Sequence, residues 1–210
     1  MQARIHYLAV LFMLLAIPAS GHAALLPRLQ GLAVYDTVLD LTWLSRASIS
    51  DALLSWDDAM AQVNGLEVAG IGGWRLPRTP QPDSSCSIHN ASGLSMGLGC
   101  TGSEMGSLFS RLTPADGVLF TDLDENRPYW SGTLLDNDPA EAWRFDFGDG
   151  WQETDLRLGG RYRAWAVHDG DIASLVPVPL PPSGVLALAG LAGLLACSQR
   201  RQSGRAQPPV

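Results

Sequence analysis

Large apolar side chains alternate with polar ones in the second half of the chain, which is the pattern of a half-buried β-strand. Trp143, Phe145 and Phe147 occupy every second position, with an arginine and an aspartate between them. A period of two places these aromatic rings on one face of a strand. An Asp-Gly pair at 149–150 then favours a hairpin turn. We therefore predict an antiparallel sheet over Tyr129–Val167, with aromatic side chains on its buried face.

Two short helices are predicted upstream of this sheet, because apolar residues recur there at spacings of three and four. Ser55 is a suitable N-cap, and Gly65 is a suitable C′ residue to end the first helix. The apolar positions between them form one stripe: Trp56, Ala59, Met60 and Val63. Ser103 is placed to cap the second, shorter helix. Its apolar stripe consists of Met105, Leu108, Phe109 and Leu112.

An N-terminal hairpin completes the predicted secondary structure. The β-prone runs Leu32–Tyr35 and Leu39–Leu44 lie on either side of a short polar connection. Trp74 is expected to anchor the core, and Arg75 beside it is expected to pair with a carboxylate in a structural role. The pattern as a whole predicts an α+β fold, with two short helices packed on an antiparallel sheet.

The first 23 residues are typical of a secretory signal peptide. Arg4 precedes an apolar run over Tyr7–Ile17, and small residues favour cleavage after Ala23. An anchor that is never removed is the alternative, although the run is far shorter than the roughly 20 residues needed to span a bilayer. The signal peptide predicts export.

The C-terminal end is predicted to be a membrane-targeting tail. It consists of a proline-rich linker at 175–183, a short transmembrane helix at 184–199 and a basic cytoplasmic segment at 200–210. This layout resembles the PEP-CTERM sorting signal of Gram-negative bacteria. That resemblance implies transient attachment to the inner membrane, processing by an exosortase-type protease, and final localisation at the cell surface or in the extracellular matrix. Pro179, Leu180 and Pro181 stand where the family name has Pro-Glu-Pro. A plain tail anchor is the alternative.

The segment at 24–174 is predicted to be one domain, and it is strongly acidic. It contains all 21 acidic residues and ten of the 14 basic ones, because the other four arginines lie in the two tails, so its formal charge is 10 − 21 = −11. Nucleic acid is therefore excluded as a partner, since phosphates require a basic surface. Every basic residue is arginine.

Cys86 and Cys100 are the only cysteines of this domain, and export would bring them into an oxidising compartment. A disulfide between them would close a loop of about 15 residues, which stabilises a fold by about 3 kcal/mol in the chain-entropy description. Metal ligation by this pair is disfavoured, because no second pair of Cys or His lies at ligand spacing. The surrounding residues 79–102 are predicted to form a long surface loop tied at its base.

Six sequence blocks occur in an order that resembles the Lcl C-terminal-like domain family. They are Leu32–Leu44, Gly73–Pro77, Gly99–Met105, Tyr129–Gly132, Ala142–Phe147 and Arg163–Val167. The resemblance implies a C-type-lectin-like architecture. It also implies non-catalytic binding of sulfated or other extracellular polysaccharides, in adhesion or biofilm formation. A purely structural matrix or surface protein that works through protein contacts is the alternative.

Candidate binding residues are expected on the arginine side of the strands and in the loops at 79–102 and 134–141. The residues we single out are Asp136, Asp138, Glu141, Arg144, Arg157, Arg161 and Arg163. Carboxylates and guanidinium forks hydrogen-bond sugar hydroxyls, and aromatic rings stack on sugar CH faces. The acidic charge of the domain disfavours an anionic glycan unless the four arginines gather into one patch.

Neither a cofactor nor catalytic chemistry is assigned. Asp122, Asp124 and Asn126 begin a calcium-loop pattern, but the pattern lacks its glycine and its final glutamate. Calcium, here or at Asp136 and Asp138 with Glu141 nearby, is therefore the less favoured alternative. The domain has two histidines and no nucleophile elbow, so a glycan-processing enzyme is the least favoured of the three functions.

Overall fold

The computed structural model describes residues 24–175, which contain two helices and nine strands. The chain divides after Ile172 into two compact units, and all the strands and both helices belong to the first. The helices are α1 (Trp56–Asn64) and α2 (Glu104–Phe109). The strands are β1 (Leu25–Arg28), β2 (Ala33–Asp36), β3 (Leu41–Leu44), β4 (Ile88–His89), β5 (Ser95–Met96), β6 (Tyr129–Leu135), β7 (Asp138–Phe145), β8 (Gln152–Leu156) and β9 (Val167–Asp169). Three 3-10 turns lie at Leu29–Gly31, Asp116–Leu119 and Ile172–Leu175.

The first sheet brings the two ends of the domain together. Its strand order is β1-β2-β3-β9, and every neighbouring pair is antiparallel. Strands β2 and β3 form the predicted N-terminal hairpin, which is thereby confirmed. Trp43 in β3 lies opposite Val167 in β9. The last strand therefore closes a sheet that begins about 140 residues earlier, as expected for folds rich in long-range pairings.

The second sheet has the order β6-β7-β8 and contains most of the predicted aromatic hairpin. The turn at 146–151 includes the Asp-Gly pair, and its ends are joined by a 2.9 Å hydrogen bond from the backbone N of Asp146 to the carbonyl of Trp151. The prediction that one sheet extends to Val167 is wrong. Residues 161–166 make only isolated bridges, including one to Tyr129, and the strand that follows them joins the first sheet.

Both helices begin at the predicted caps. The Ser55 hydroxyl accepts a hydrogen bond from the backbone N of Asp58 in α1, and the Ser103 hydroxyl accepts one from Gly106 in α2. Such caps satisfy one of the free N–H groups at a helix start. Gly65 follows the last residue of α1 with a φ of −91°, so the left-handed conformation expected of a C′ glycine is not used.

The core is dominated by aromatic rings. Trp130, Trp143, Phe145, Phe147 and Trp165 are all buried, as predicted from their pattern. Trp165 lies at the centre of the cluster: its ring centroid is 4.9 Å from that of Trp43, and its indole N–H donates to the Leu44 carbonyl at 2.7 Å. The indole N–H of Trp130 likewise donates to the Leu54 carbonyl at 2.9 Å. These bonds satisfy polar groups that burial would otherwise leave unpaired.

The loop at 79–102 is folded onto the second sheet. Cys86 and Cys100 form the predicted disulfide, with an S–S distance of 2.11 Å. Strands β4 and β5 form a small hairpin inside the loop. The backbone groups of Gly97 and Gln152 then exchange two hydrogen bonds, of 2.8 and 2.9 Å, which attach the hairpin to the edge strand β8. The loop is therefore anchored by the disulfide and by the backbone pairing of Gly97 with Gln152.

The α+β class is confirmed, while several finer predictions concern residues that the structure does not describe. The signal peptide at 1–23 lies outside the described residues, as does nearly all of the tail at 175–210. Within residues 24–175, no helix is long and apolar enough to cross a membrane. The C-type-lectin-like architecture remains an expectation.

Candidate functional site

The predicted binding residue Arg144 is part of a hydrogen-bonded cluster on β7 and β8. Its guanidinium forms an ion pair with Glu153 and lies 5.0 Å from the ring centroid of Tyr162. The Tyr162 hydroxyl in turn donates to Asp155. Burial, together with this hydrogen bond to Asp155, raises the pKa of Tyr162 to about 12. The terminal polar groups of the cluster therefore pair with one another, while the buried Nε of Arg144 has no hydrogen-bond partner among the described residues.

Two further predicted arginines lie elsewhere. Arg157 approaches Asp57 at 3.7 Å and lies 6.0 Å from the ring centroid of Trp56, where it borders a small apolar pocket. Arg161 donates to the carbonyls of Leu158 and Gly160 within its own loop, at 2.6 and 2.8 Å. Each of these arginines is held by its own neighbours, so the four predicted arginines do not share one partner or one cavity.

The predicted acidic residues surround the turn between β6 and β7. Asp136 and Asp138 are exposed, and Asp138 accepts a hydrogen bond from the backbone N of Ala140 at 3.0 Å. Glu141 is half-buried and accepts from the Thr154 hydroxyl on the neighbouring strand. In the described residues, the only group of three or more Asp, Glu, Cys or His whose ligand atoms lie within 4.8 Å of one another is Asp83, Cys86 and Cys100. Two of those three are bonded in the disulfide.

A polar cleft with a volume of about 470 Å³ contains one of the predicted binding residues. Its walls come from the segment after β3, the loop before β6 and the segment before β9. The residues that line it are Arg46, Ser48, Ser50, Asp51, Asp122, Leu123, Asp124, Glu125, Asn126 and Arg163. Of the sequence-predicted binding residues, Arg163 alone lines this cleft.

Backbone hydrogen bonds hold the walls of the polar cleft together. Thr121 pairs with the segment after β3: its N–H donates to the Ser45 carbonyl at 2.8 Å, and its carbonyl accepts from Ala47 at 2.8 Å. The next residue, Asp122, has a φ of 58°, a left-handed conformation that non-glycine residues seldom adopt. The backbone N of Asp124 then donates to the buried Tyr129 hydroxyl at 2.6 Å. The loop is thus fixed at both ends, which pre-forms the cleft.

Two guanidinium groups cross-link the cleft. Arg46 donates to Asp122 at 2.8 Å and also pairs with Asp51. Arg163 places two of its nitrogens on one carboxylate oxygen of Asp124, at 3.0 and 2.9 Å. It also donates to the Asp51 carbonyl at 2.9 Å. These charge-assisted bonds fix the orientation of donors and acceptors before any ligand enters.

The electrostatics of the cleft follow from these pairs. Burial acts to raise the pKa of the Asp124 carboxyl, but the backbone N–H of Asn126 and the Arg163 guanidinium outweigh it, so that pKa is lowered. Hydrogen bonds to Asp122 and Asp51 raise the pKa of Arg46. Asp124 and Arg46 are therefore both charged near neutral pH. Two guanidinium groups face four carboxylates, so the lining has a formal charge of −2.

The calcium-loop pattern noted in the sequence coincides with one wall of this cleft. Asp122 and Asp124 both lie there, but each gives carboxylate oxygen to an arginine, and Asp124 also accepts a 3.0 Å hydrogen bond from the backbone N of Asn126. In this structure the carboxylates of the pattern therefore bind arginine guanidinium groups. They are the same residues whose oxygen atoms a calcium loop would offer as ligands.

An apolar groove adjoins the polar cleft. It has a volume of about 470 Å³, and Leu123 and Glu125 line both concavities. The remaining walls of the groove come from the end of α2, the residues that follow it and the second sheet. They are Phe109, Leu112, Thr113, Pro114, Gly117, Phe120 and Phe147. A ligand could therefore contact polar and apolar surfaces on either side of one short segment.

Several residues of the cleft were missed by reasoning from the sequence. Arg46, Ser48, Ser50 and Asp51 follow β3 in a short polar segment, and Glu125 lies within the acidic loop. The one available signal was the clustering of Ser and charged residues between a strand and a helix, where loops commonly carry binding groups. That signal does not reveal which distant loop will face the segment.

The described residues define an α+β module with an aromatic core, on which loops from three separate segments form a polar, net acidic cleft. Residues 32–168 match the family of the Lcl C-terminal domain, and the chain belongs to that family. This confirms the family predicted from the six sequence blocks. No curated protein and no solved structure matches the chain.

Proposed function

We propose that this protein is an exported, non-catalytic module that binds extracellular polysaccharide through the polar cleft. The observation that supports the proposal is the arrangement of Arg46 and Arg163, whose guanidinium groups are fixed by carboxylates around a concavity of about 470 Å³. This volume lies in the range of pockets that hold small ligands, roughly 300–1,000 Å³. Fixed donors and acceptors side by side suit the hydroxyl groups of a sugar.

The charge of the domain limits the class of glycan. The cleft has a formal charge of −2 within a domain of −11. Like charges across an interface are unfavourable, so a sulfated or uronic acid polymer would be repelled. The proposal is therefore a neutral or cationic polysaccharide, which leaves out the sulfated polymers among the sulfated or other polysaccharides that the family resemblance implies.

Export and tethering are part of the same proposal. Residues 1–23 would direct secretion, and the tail at 175–210 would hold the protein in the inner membrane until an exosortase-type protease acts. The binding module would then act at the surface or in the matrix of a Gram-negative bacterium, in adhesion or biofilm formation. A structural protein that acts through protein contacts is the competing function, favoured by Leu156 and Leu158, which are 55% and 63% exposed.

The test uses the purified full chain on a polysaccharide array, followed by calorimetry with the oligosaccharides that bind. We expect Arg46→Gln and Arg163→Gln to weaken binding by about tenfold, because each removes a charge-assisted donor and releases a carboxylate. Arg157→Gln is the matched control, since Arg157 lies outside the cleft. Binding to no polysaccharide would exclude this function and favour the structural alternative. Equal losses in all three variants would instead exclude the polar cleft as the binding site.

A further inference from the structure

Glu125 lies at the boundary between the polar cleft and the apolar groove. It lines both concavities and is exposed. The three other carboxylates of the cleft are paired: Asp51 and Asp122 with Arg46, and Asp124 with Arg163. In residues 24–175, no hydrogen bond or ion pair reaches the side chain of Glu125. The one free charge of the cleft is therefore negative, and it lies where the polar and apolar surfaces meet.

The backbone of Glu125 is supported by a neighbouring turn. The Glu125 carbonyl lies so close to Gly148 that a Cβ on that glycine would be only 2.3 Å from it. The loop therefore rests directly on the turn that connects β7 and β8. Because the backbone is already supported, the ordering cost of binding a cation is limited to the Glu125 side chain.

We propose that the ligand of the cleft is a partly N-acetylated amino-sugar polymer. This inference rests on the proposed function and specifies its substrate class. A free ammonium of the polymer would pair with Glu125, and sugar hydroxyls would bond to the guanidinium–carboxylate pairs of the polar cleft. An acetyl methyl group would enter the apolar groove beside Leu123 and Phe120.

The charge of the cleft, its hydrogen-bonding groups and the neighbouring apolar groove each favour one chemical feature of this ligand. The lining charge of −2 favours a cation and disfavours an anion. Ser48, Ser50 and the two arginines add hydrogen-bonding groups, which suit a ligand rich in hydroxyls because each hydroxyl can both donate and accept. The apolar groove favours a ligand with small apolar substituents. A polymer that mixes acetylated and free amino sugars meets all three conditions.

The experiment compares binding of glucosamine oligomers of one length by the full chain at pH 6. The oligomers are fully N-acetylated, half N-acetylated or fully deacetylated. We expect the half-acetylated oligomer to bind best, by roughly three- to fivefold over the fully acetylated one, as for a partly exposed charge pair. We expect Glu125→Gln to abolish that preference. The control Glu67→Gln, an exposed glutamate outside the cleft, should retain it.

The outcomes separate this inference from the proposed function. If the fully acetylated oligomer binds as tightly as the half-acetylated one, the cationic selectivity is wrong while polysaccharide binding stands. If the fully deacetylated oligomer binds as well as the half-acetylated one, the role of the groove is wrong. Tighter binding of oligolysine than of any amino sugar would also overturn the inference. Binding of no oligosaccharide of any kind would instead reject the proposed function itself.

Discussion

Gly148→Ala is expected to damage the fold and the polar cleft together. Gly148 lies in the turn that connects β7 and β8, and its N–H donates to Asp146 at 2.8 Å. A Cβ built on it would be 2.3 Å from the Glu125 carbonyl oxygen, whereas real Cβ atoms essentially never approach closer than 3.0 Å. One of the two backbones must therefore move by at least about 0.7 Å, the difference between these distances.

The cost of this movement can be bounded. The φ of Gly148 is not in the left-handed region, so alanine introduces contact strain alone. Overpacking of this kind destabilises a protein by typically 1–3 kcal/mol. The lower entropy of the unfolded chain offsets about 0.4–1 kcal/mol when glycine becomes alanine. A net loss of about 1–2 kcal/mol remains, which lowers the Tm of a domain of this size by roughly 2–8 °C.

Thermal and urea unfolding of the full chain would measure this loss, and calorimetry with a bound oligosaccharide would measure the effect on Glu125. Gly72→Ala is the matched control, because a Cβ there meets no atom within 4 Å and its φ is also not left-handed. We expect Gly72→Ala to leave the Tm unchanged or slightly higher. If both variants unfold at the same temperature, the contact between Gly148 and the cleft loop does not constrain the protein as argued.

Two further perturbations test the covalent and electrostatic parts of the fold. Replacing Cys86 and Cys100 by alanine should lower the free energy of unfolding by about 3 kcal/mol, the chain-entropy value for a loop of this length; a loss below about 1 kcal/mol in urea titrations would contradict it. Burial raises the pKa of Tyr162 to about 12, above the value near 10 of an unfolded chain. The stability that this burial contributes is complete below pH 10 and is lost as the pH rises towards 12. Tyr162→Phe should therefore lessen the decrease in stability between pH 9 and 11.5, and an unchanged decrease would count against this account.

Local features of the fold could be predicted from the sequence because they depend on residues that are neighbours in the chain. The caps at Ser55 and Ser103 and the Asp-Gly turn all satisfy backbone groups within a few residues. The burial of the aromatic residues also followed from their alternation. What failed was the assignment of Val167 to the second sheet, because strand pairing across more than 120 residues leaves no trace in local periodicity.

The polar cleft was harder to predict from the sequence for the same reason. Arg163 was predicted to bind a ligand from its position on the sequence, and it does line the cleft. Its partner Asp124 and the opposite wall at Asp51 come from segments 39 and 112 residues away. The acidic loop was recognised from its calcium-loop pattern, whereas its ion pairs with Arg46 and Arg163 were not predicted. Which loops face one another is decided by the packing of the two sheets.

The distribution of ion pairs supports the proposal that the ligand is not an anion. Ten arginines lie in the domain, and eight of them have a carboxylate within 4.0 Å: Arg28, Arg46, Arg75, Arg78, Arg111, Arg144, Arg157 and Arg163. Arg75, for example, donates to both Glu104 and Asp169, which connects α2 to β9. An anionic ligand would have to displace these carboxylates within a domain of charge −11. Each contact between the ligand and a guanidinium group would therefore replace a contact that the same group already makes with a carboxylate of the protein. The carboxylates that are not paired with an arginine remain free to bind a ligand. In the polar cleft, this unpaired carboxylate is that of Glu125. The selectivity for cationic groups that we propose therefore rests on how the arginines are already paired in the fold.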